Sequence, residues 1–180
     1  HNYSSLYVLP DIPQEQWIQQ LKNIAAHEFF HIVTPLNIHS KEIHYFDFNE
    51  PEMSEHLWMY EGVTEYFAHH SQLSTGLTDL EHFLNTMAGK ITTYTDQFDD
   101  HLPFTEMSKN VLTKTEAEYA NVYQKGALIG FMVDVLLRKN SDGQTGIMDL
   151  MLKLGQEYGA NKPFKDKRLF KIIANNSYPE

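Results

Sequence analysis

His27-Glu28-Phe29-Phe30-His31 is the stretch whose residue types and spacing could do chemistry. Two imidazoles stand four residues apart, with a carboxylate beside the first. On a helix, positions i and i+4 lie one above the other on the same face. Both rings can then reach one metal ion, and Glu28 can lie beside whatever that ion binds. A hydrolytic zinc centre needs three protein ligands and one open position for water. With 10 His and 14 Glu in 180 positions, the pattern His-Glu-x-x-His arises by accident about 0.04 times, so it directs a search for the remaining ligand.

That ligand must be His, Asp or Glu, because the chain has no cysteine. Trp58-Met59-Tyr60-Glu61-Gly62-Val63-Thr64-Glu65-Tyr66-Phe67 sets two carboxylates among core-type residues. A carboxylate in an apolar helical stretch is costly unless it is paired or metal-bound. Glu61 is the candidate third ligand, 29 residues separating it from His31, and Gly62 beside it allows close helix approach. Glu65, one turn on, is either an exposed helix residue or a hydrogen-bond partner behind a ligand imidazole. The Glu28-x-x-His31 element also suits a di-iron bundle, but such a site needs a second copy, and the sequence contains none.

The elements that must position these groups read as helices. Asp11-Ile12-Pro13 is a helix start, with Asp11 or Ile12 near the cap. Trp17, Leu21, Ile24 and Ala25 follow a 3–4 spacing and form the expected buried stripe. Pro35 ends that helix near Val33. Residues 35–53 lack a period and read as a long loop beside the metal. A second helix starts at Ser54-Glu55 and closes at Gly76. Thr78-Asp79-Leu80-Glu81 is a capping box for a third. Residues 96–106 read as a solvated acidic loop. A fourth helix is expected from about Glu116 to Lys139, capped by Thr113 or Thr115. The fifth covers about Ile147–Tyr158, with Thr145 as its cap and Gly159 at its end. The sixth starts at Pro163. Residues 3–9 read as an extended segment. The fold class is therefore mainly α, about six helices with little β structure, in one domain spanning 1–180.

Bulk properties exclude other classes. A net charge of −10 argues against nucleic-acid binding, which needs a cationic face. No apolar run is long enough to span a membrane. The first residues lack the basic and apolar regions of a signal peptide. The chain begins at His1, so it reads as a processed protein or an excerpt. The acidic surface suits a soluble protein, periplasmic or secreted settings included, and no signal selects a compartment. The histidines outside the motif, His39, His44, His56, His69, His70, His82 and His101, read as surface or loop residues.

His27–His31 followed by Leu57-Trp58-x-x-Glu61-Gly62-x-Thr64-x-Tyr66 resembles the gluzincins, zinc peptidases with two His and one Glu ligand. The double Phe of the motif and the later Tyr123-x-Lys125-Gly126-Ala127-Leu128, Val133-Asp134-x-x-Leu137-Arg138 and Asp149-x-Met151 look most like the glycyl aminopeptidase family. The resemblance covers about residues 27–152 and implies a thermolysin-like catalytic domain. Zn2+ would be held by His27, His31 and Glu61, and Glu28 would act as general base. Tyr123 would be the transition-state stabiliser, with Tyr119 one turn earlier as the backup. The substrate would be a peptide, cleaved after a small N-terminal residue. The family also implies an N-terminal β domain and a C-terminal PDZ-like domain flanking this region in the same protein. The chain departs from the family pattern after His31, where Ile32-Val33-Thr34-Pro35 replaces Trp-Asn and a basic stretch. It also lacks the upstream Gly-rich strand ending in Glu-His. The alternatives are a metal-binding interaction module without turnover and a helical structural domain with incidental histidines.

Overall fold

A computed structural model describes Asp11 and residues 13–177; the expected extended segment at residues 3–9 and Ile12 lie outside the described residues. Among the described residues eight α-helices follow in order: α1 (Gln14–Phe30), α2 (Lys41–His44), α3 (Val63–Ser74), α4 (Leu80–Gln97), α5 (Phe104–Asn110), α6 (Asn121–Asn140), α7 (Ile147–Glu157) and α8 (Leu169–Ser177). A π-helical turn, Trp58–Gly62, runs directly into α3. Among the described residues the one β feature is an isolated parallel bridge between Ser40 and Phe164. The mainly helical class expected from the sequence is what the structure shows. The helices beyond the expected six are the short α2, inside the loop read at residues 35–53, and α5, which begins at the end of the loop read at residues 96–106 and runs past it. α5 forms because Phe104, Met107 and Val111 recur at helical spacing and turn inward, Met107 and Val111 fully buried. Among the described residues no helix is long and apolar enough to cross a membrane.

One apolar core joins these elements. Met59, Val63, Tyr66 and Phe67 fill its centre, with Val122 and Ala127 of α6 and Ile147, Met151 and Leu154 of α7 around them. Full burial of such side chains is worth about 1.5–3 kcal/mol each. α1 lies against α3, and α6 crosses the π-turn and α3. The expected apolar stripe on α1 is only partly inside. Trp17 is 36% exposed, Ala25 is exposed, and Leu21 and Ile24 are half-buried. α1 packs along one side only, and its deepest residue is His27. α1 also ends at Phe30 rather than near Val33. The next amides, of His31, Ile32 and Val33, bond to carbonyls three residues back, so the last turn tightens before the cis Thr34–Pro35 peptide. The position before the first helical residue is Pro13, which makes no side-chain cap bond, rather than the expected Asp11; Ile12, the other expected cap, lies outside the described residues. Thr113 and Thr115 do not cap α6, which begins at Asn121 after a 3-10 turn at Glu116–Glu118.

Asp134 fastens α6 to the start of α7. Its Oδ2 accepts from the Tyr66 hydroxyl at 2.7 Å and Arg138 Nε at 2.9 Å, and its Oδ1 accepts from the Ile147 amide at 2.7 Å. Burial alone would raise its pKa, but the bonds from Tyr66, Ile147 and Arg138 outweigh burial and lower it. A carboxyl whose pKa is lower when folded stabilises above its unfolded pKa and stops doing so as pH falls through the folded value. Asp134→Asn should cost about 1–3 kcal/mol near neutrality. Thermal melts from pH 7 down to 2.5 should show the gap between wild type and variant closing at the acid end.

Candidate active site

The site forms where α1, the π-turn, α3 and α6 meet. His27 and His31 leave α1 on one face, with ring centroids 4.9 Å apart. The outer nitrogen of each ring is already engaged. His27 Nδ1–H donates to Glu65 Oε2 at 2.9 Å, and His31 Nδ1–H donates to the Thr34 carbonyl at 2.9 Å. Both Nε2 atoms therefore face inward. They converge on one oxygen, Glu61 Oε2, at 3.3 Å from His27 and 3.7 Å from His31. Two donors bound tetrahedrally to one zinc at ordinary ligand lengths stand about 3.3–3.4 Å apart. The donor types suit a zinc ion, the His27–Glu61 distance matches that spacing and the His31–Glu61 distance is 3.7 Å.

The π-turn is what brings Glu61 there. It widens the backbone by one residue, so the Val63 amide bonds to Trp58 rather than to its usual partner. Carbonyls displaced from the α pattern need other donors. The Thr34 hydroxyl supplies one, to Met59 at 2.9 Å, and the Thr64 hydroxyl supplies another, to Tyr60 at 2.7 Å. Thr34 thus holds His31 with its carbonyl and the turn carrying Glu61 with its hydroxyl. Gly62 sits against Gly126 of α6, whose Cα is separated from Gly62 by no side chain. The expectation of a close helix approach at Gly62 is met in this contact.

Glu28 is exposed on the same cleft, a space of ≈ 280 Å³ lined by Asn23, Ile24, His27, Glu28, Glu65 and Tyr123. Its carboxylate has no hydrogen-bond partner among the described residues. Ligand atoms of His27, Glu28 and His31 all lie within 4.8 Å of one another, so Glu28 also has metal-binding reach. The two glutamates differ in approach. Glu61 touches both inward nitrogens, whereas Glu28 stands free at the mouth. Tyr123 comes from the first turn of α6, its ring 5.6 Å from that of His27. Its hydroxyl is 3.2 Å from that of Tyr119. Burial, the charge of Glu61 and the bond with Tyr119 push its pKa far above the ordinary tyrosine value, so the phenol keeps its proton and can donate it to a hydrogen bond.

The charge balance suits a cation. Burial favours neutral His27, but bonds to Glu61 and Glu65 and their charges outweigh burial and lift its pKa to about 9. Glu65 is shifted the other way. Burial would raise its carboxyl, but His27, His69 and Lys90 hold it well below the usual carboxylate range. The sequence left Glu65 between an exposed helix residue and a hydrogen-bond partner of an imidazole; in the structure it is mostly buried and bonded to the His27 ring.

Two features were not read from the sequence. Lys90, on α4, reaches Glu65 Oε1 at 2.8 Å. Glu55, His56 and Asp166 also gather, their ligand atoms within 4.8 Å. In this second group His56 and Asp166 are committed to structure. His56 donates Nε2–H to the Asp166 carbonyl at 3.0 Å, and its Nδ1 accepts from Trp58 at 3.2 Å. The Asp166 carboxylate accepts from the Ser54 hydroxyl and the Glu55 amide, both at 2.6 Å. His39 and His56 lie in irregular or turn segments, as one of the two expected settings has it, but both are buried rather than at the surface.

The fold is mainly helical, and its donor set centres on a His-Glu-x-x-His helix. The chain belongs to the M61 glycyl aminopeptidase family, whose model matches residues 20–129. It is similar in fold to the crystal structure of an aminopeptidase N family protein from Idiomarina loihiensis, with a TM-score of 0.77 and 24% sequence identity. That alignment covers 97% of this chain and 30% of the other, so the chain spans under a third of that protein's length. No curated protein matches the chain.

Proposed function

We propose that the chain is the catalytic region of a zinc-dependent peptidase, an aminopeptidase acting on peptides with small N-terminal residues. Residues 1–180 form one catalytic domain in this reading, flanked in the whole protein by an N-terminal β domain and a C-terminal PDZ-like domain. The observation that carries the metal assignment is the convergence of two inward Nε2 atoms on Glu61 Oε2, with both Nδ1 atoms anchored from behind. Family membership supports the peptidase assignment.

His27, His31 and Glu61 are the ligands in this reading. The chemistry that zinc would supply when held by these residues is a water whose pKa is lowered towards about 7 and polarisation of the scissile carbonyl. Glu28 takes the proton of the attacking water and passes it to the leaving amine. Its free carboxylate at the cleft mouth suits both transfers. Tyr123 donates its hydroxyl hydrogen to the oxyanion of the tetrahedral intermediate. Glu65 keeps the His27 ring in the tautomer with Nε2 unprotonated.

Elemental analysis should find one zinc per chain, and His27→Ala should remove it. Hydrolysis of glycyl and alanyl anilides should stop in a chelator and return with zinc. Retention of zinc by His27→Ala would overturn the ligand assignment. Zinc bound without turnover would favour the alternative of an interaction module. Tyr123→Phe should lower kcat by about 10²–10³-fold with zinc content unchanged, as expected for loss of one oxyanion donor.

A further inference from the structure

Lys90 belongs to no motif and lies on α4, a helix that contributes no ligand. It is nonetheless 7% exposed. A lysine is rarely buried unless its charge is paired. Its Nζ donates to Glu65 Oε1 at 2.8 Å and to the Tyr123 carbonyl at 2.9 Å. Glu65 Oε1 also accepts from His69 Nε2 at 3.0 Å, while Oε2 holds His27. One ammonium group therefore joins the carboxylate behind a candidate ligand to the backbone of the candidate oxyanion donor.

We infer that Lys90 is a positioning residue of the proposed metal site: it clamps Glu65 to the backbone of Tyr123, so that the His27 imidazole and the Tyr123 phenol keep a fixed separation. The inference rests on the zinc reading above. It makes a prediction opposite in sign to the simpler role of a neutralising charge. A cation near the site repels a dication, so if charge were its contribution, removing Lys90 would tighten zinc. If positioning is its contribution, removal loosens Glu65, lets the His27 ring turn and weakens zinc. The geometry points to the second. The ammonium is held by short bonds on two sides, and Glu65 stands between it and the imidazole.

The test uses the 180-residue chain and zinc alone as ligand, titrated against a chromophoric chelator. Lys90→Met should weaken zinc by about tenfold or more, the range seen when partners behind metal ligands are removed. Glu65→Gln should weaken it by about 10–100-fold. The double variant should be within about twofold of Glu65→Gln, because Lys90 acts through Glu65. The visible spectrum of the cobalt-substituted protein should shift in Lys90→Met. It should stay unchanged in Lys109→Met, a control that breaks only the exposed Lys109–Glu55 pair. Unchanged or tighter zinc in Lys90→Met, or additive losses in the double variant, would overturn the role. If Lys90→Met does not fold, Lys90→Gln, whose amide nitrogen ends one bond short of the ammonium and does not span Glu65 Oε1 and the Tyr123 carbonyl, is read by the same titration: weaker zinc supports positioning and tighter or unchanged zinc refutes it. A wild type that takes up no zinc defeats the proposed function and this inference together. Normal wild-type zinc with an indifferent Lys90→Met defeats this inference alone.

Discussion

Glu28→Gln should keep one zinc per chain while hydrolysis falls by about 10²–10⁴-fold, the usual contribution of a general acid–base group. The substitution preserves size and removes the ability to accept a proton. Its value lies in separating two roles that proximity alone does not separate. Glu28 shares with His27 and His31 a set of ligand atoms within 4.8 Å, so a ligand role is sterically open to it. A ligand would lose metal on conversion to the amide, because a neutral oxygen binds zinc far less well than a carboxylate. A base would lose rate and keep metal. The companion substitution Glu61→Gln should do the reverse, losing zinc and rate together. Zinc content by elemental analysis, beside initial rates with glycyl and alanyl anilides at saturating zinc, decides between them. Full activity in Glu28→Gln would remove the proposed mechanism.

Gly62→Ala should destabilise the chain by about 3 kcal/mol or more, at the upper end of overpacking costs. A Cβ at this position would stand 2.3 Å from the Gly126 carbonyl carbon, 2.4 Å from its oxygen and 2.6 Å from its Cα. All three are backbone atoms, so no rotamer change relieves the clash. Gly62 has φ −70°, an ordinary helical value, so the constraint is contact rather than conformation. α6 and the π-turn must move apart, and Glu61 moves with its neighbour. For a domain of this size about 3 kcal/mol corresponds to a fall in Tm of roughly 6–12 °C. Two further glycines calibrate the result. At Gly126 an added Cβ would meet Gly62 Cα at 3.2 Å and Phe104 Cζ at 3.3 Å, so Gly126→Ala should cost less. At Gly89, within α4, nothing lies within 4 Å, and Gly89→Ala should stabilise by about 0.5–1 kcal/mol through helix propensity alone. Thermal melts of the three variants should rank in that order.

The residues that gather at the candidate site were legible because their pattern is written locally. His27 and His31 announce themselves by i, i+4 spacing, and Glu61 and Glu65 stand out as carboxylates in an otherwise apolar stretch. What escaped was set by distant partners. Lys90 looks like a polar residue on an amphipathic helix, and only the packing of α4 turns it inward. His56 reads as a loop histidine until Asp166, far along the chain, meets it. The start of α6 was placed too early because Glu116 and Glu118 resemble a first turn. There the backbone makes a 3-10 turn instead, and Thr115 spends its hydroxyl on the Met107 carbonyl at 2.7 Å. The stripe on α1 was read as buried because periodicity reports which residues share a face, not how much of that face is covered.

The π-turn also governs which insertions and deletions a gene for this protein could accept. A single codon lost between Leu57 and Gly62 would restore a regular helix and rotate Glu61 by about 100° away from the imidazoles. The same loss between Asn49 and Met53 would shorten a loop whose residues are mostly exposed, and the fold would absorb it. Length variation among descendants of this sequence should therefore collect between residues 49 and 53, while the count from Leu57 to Glu65 stays invariant.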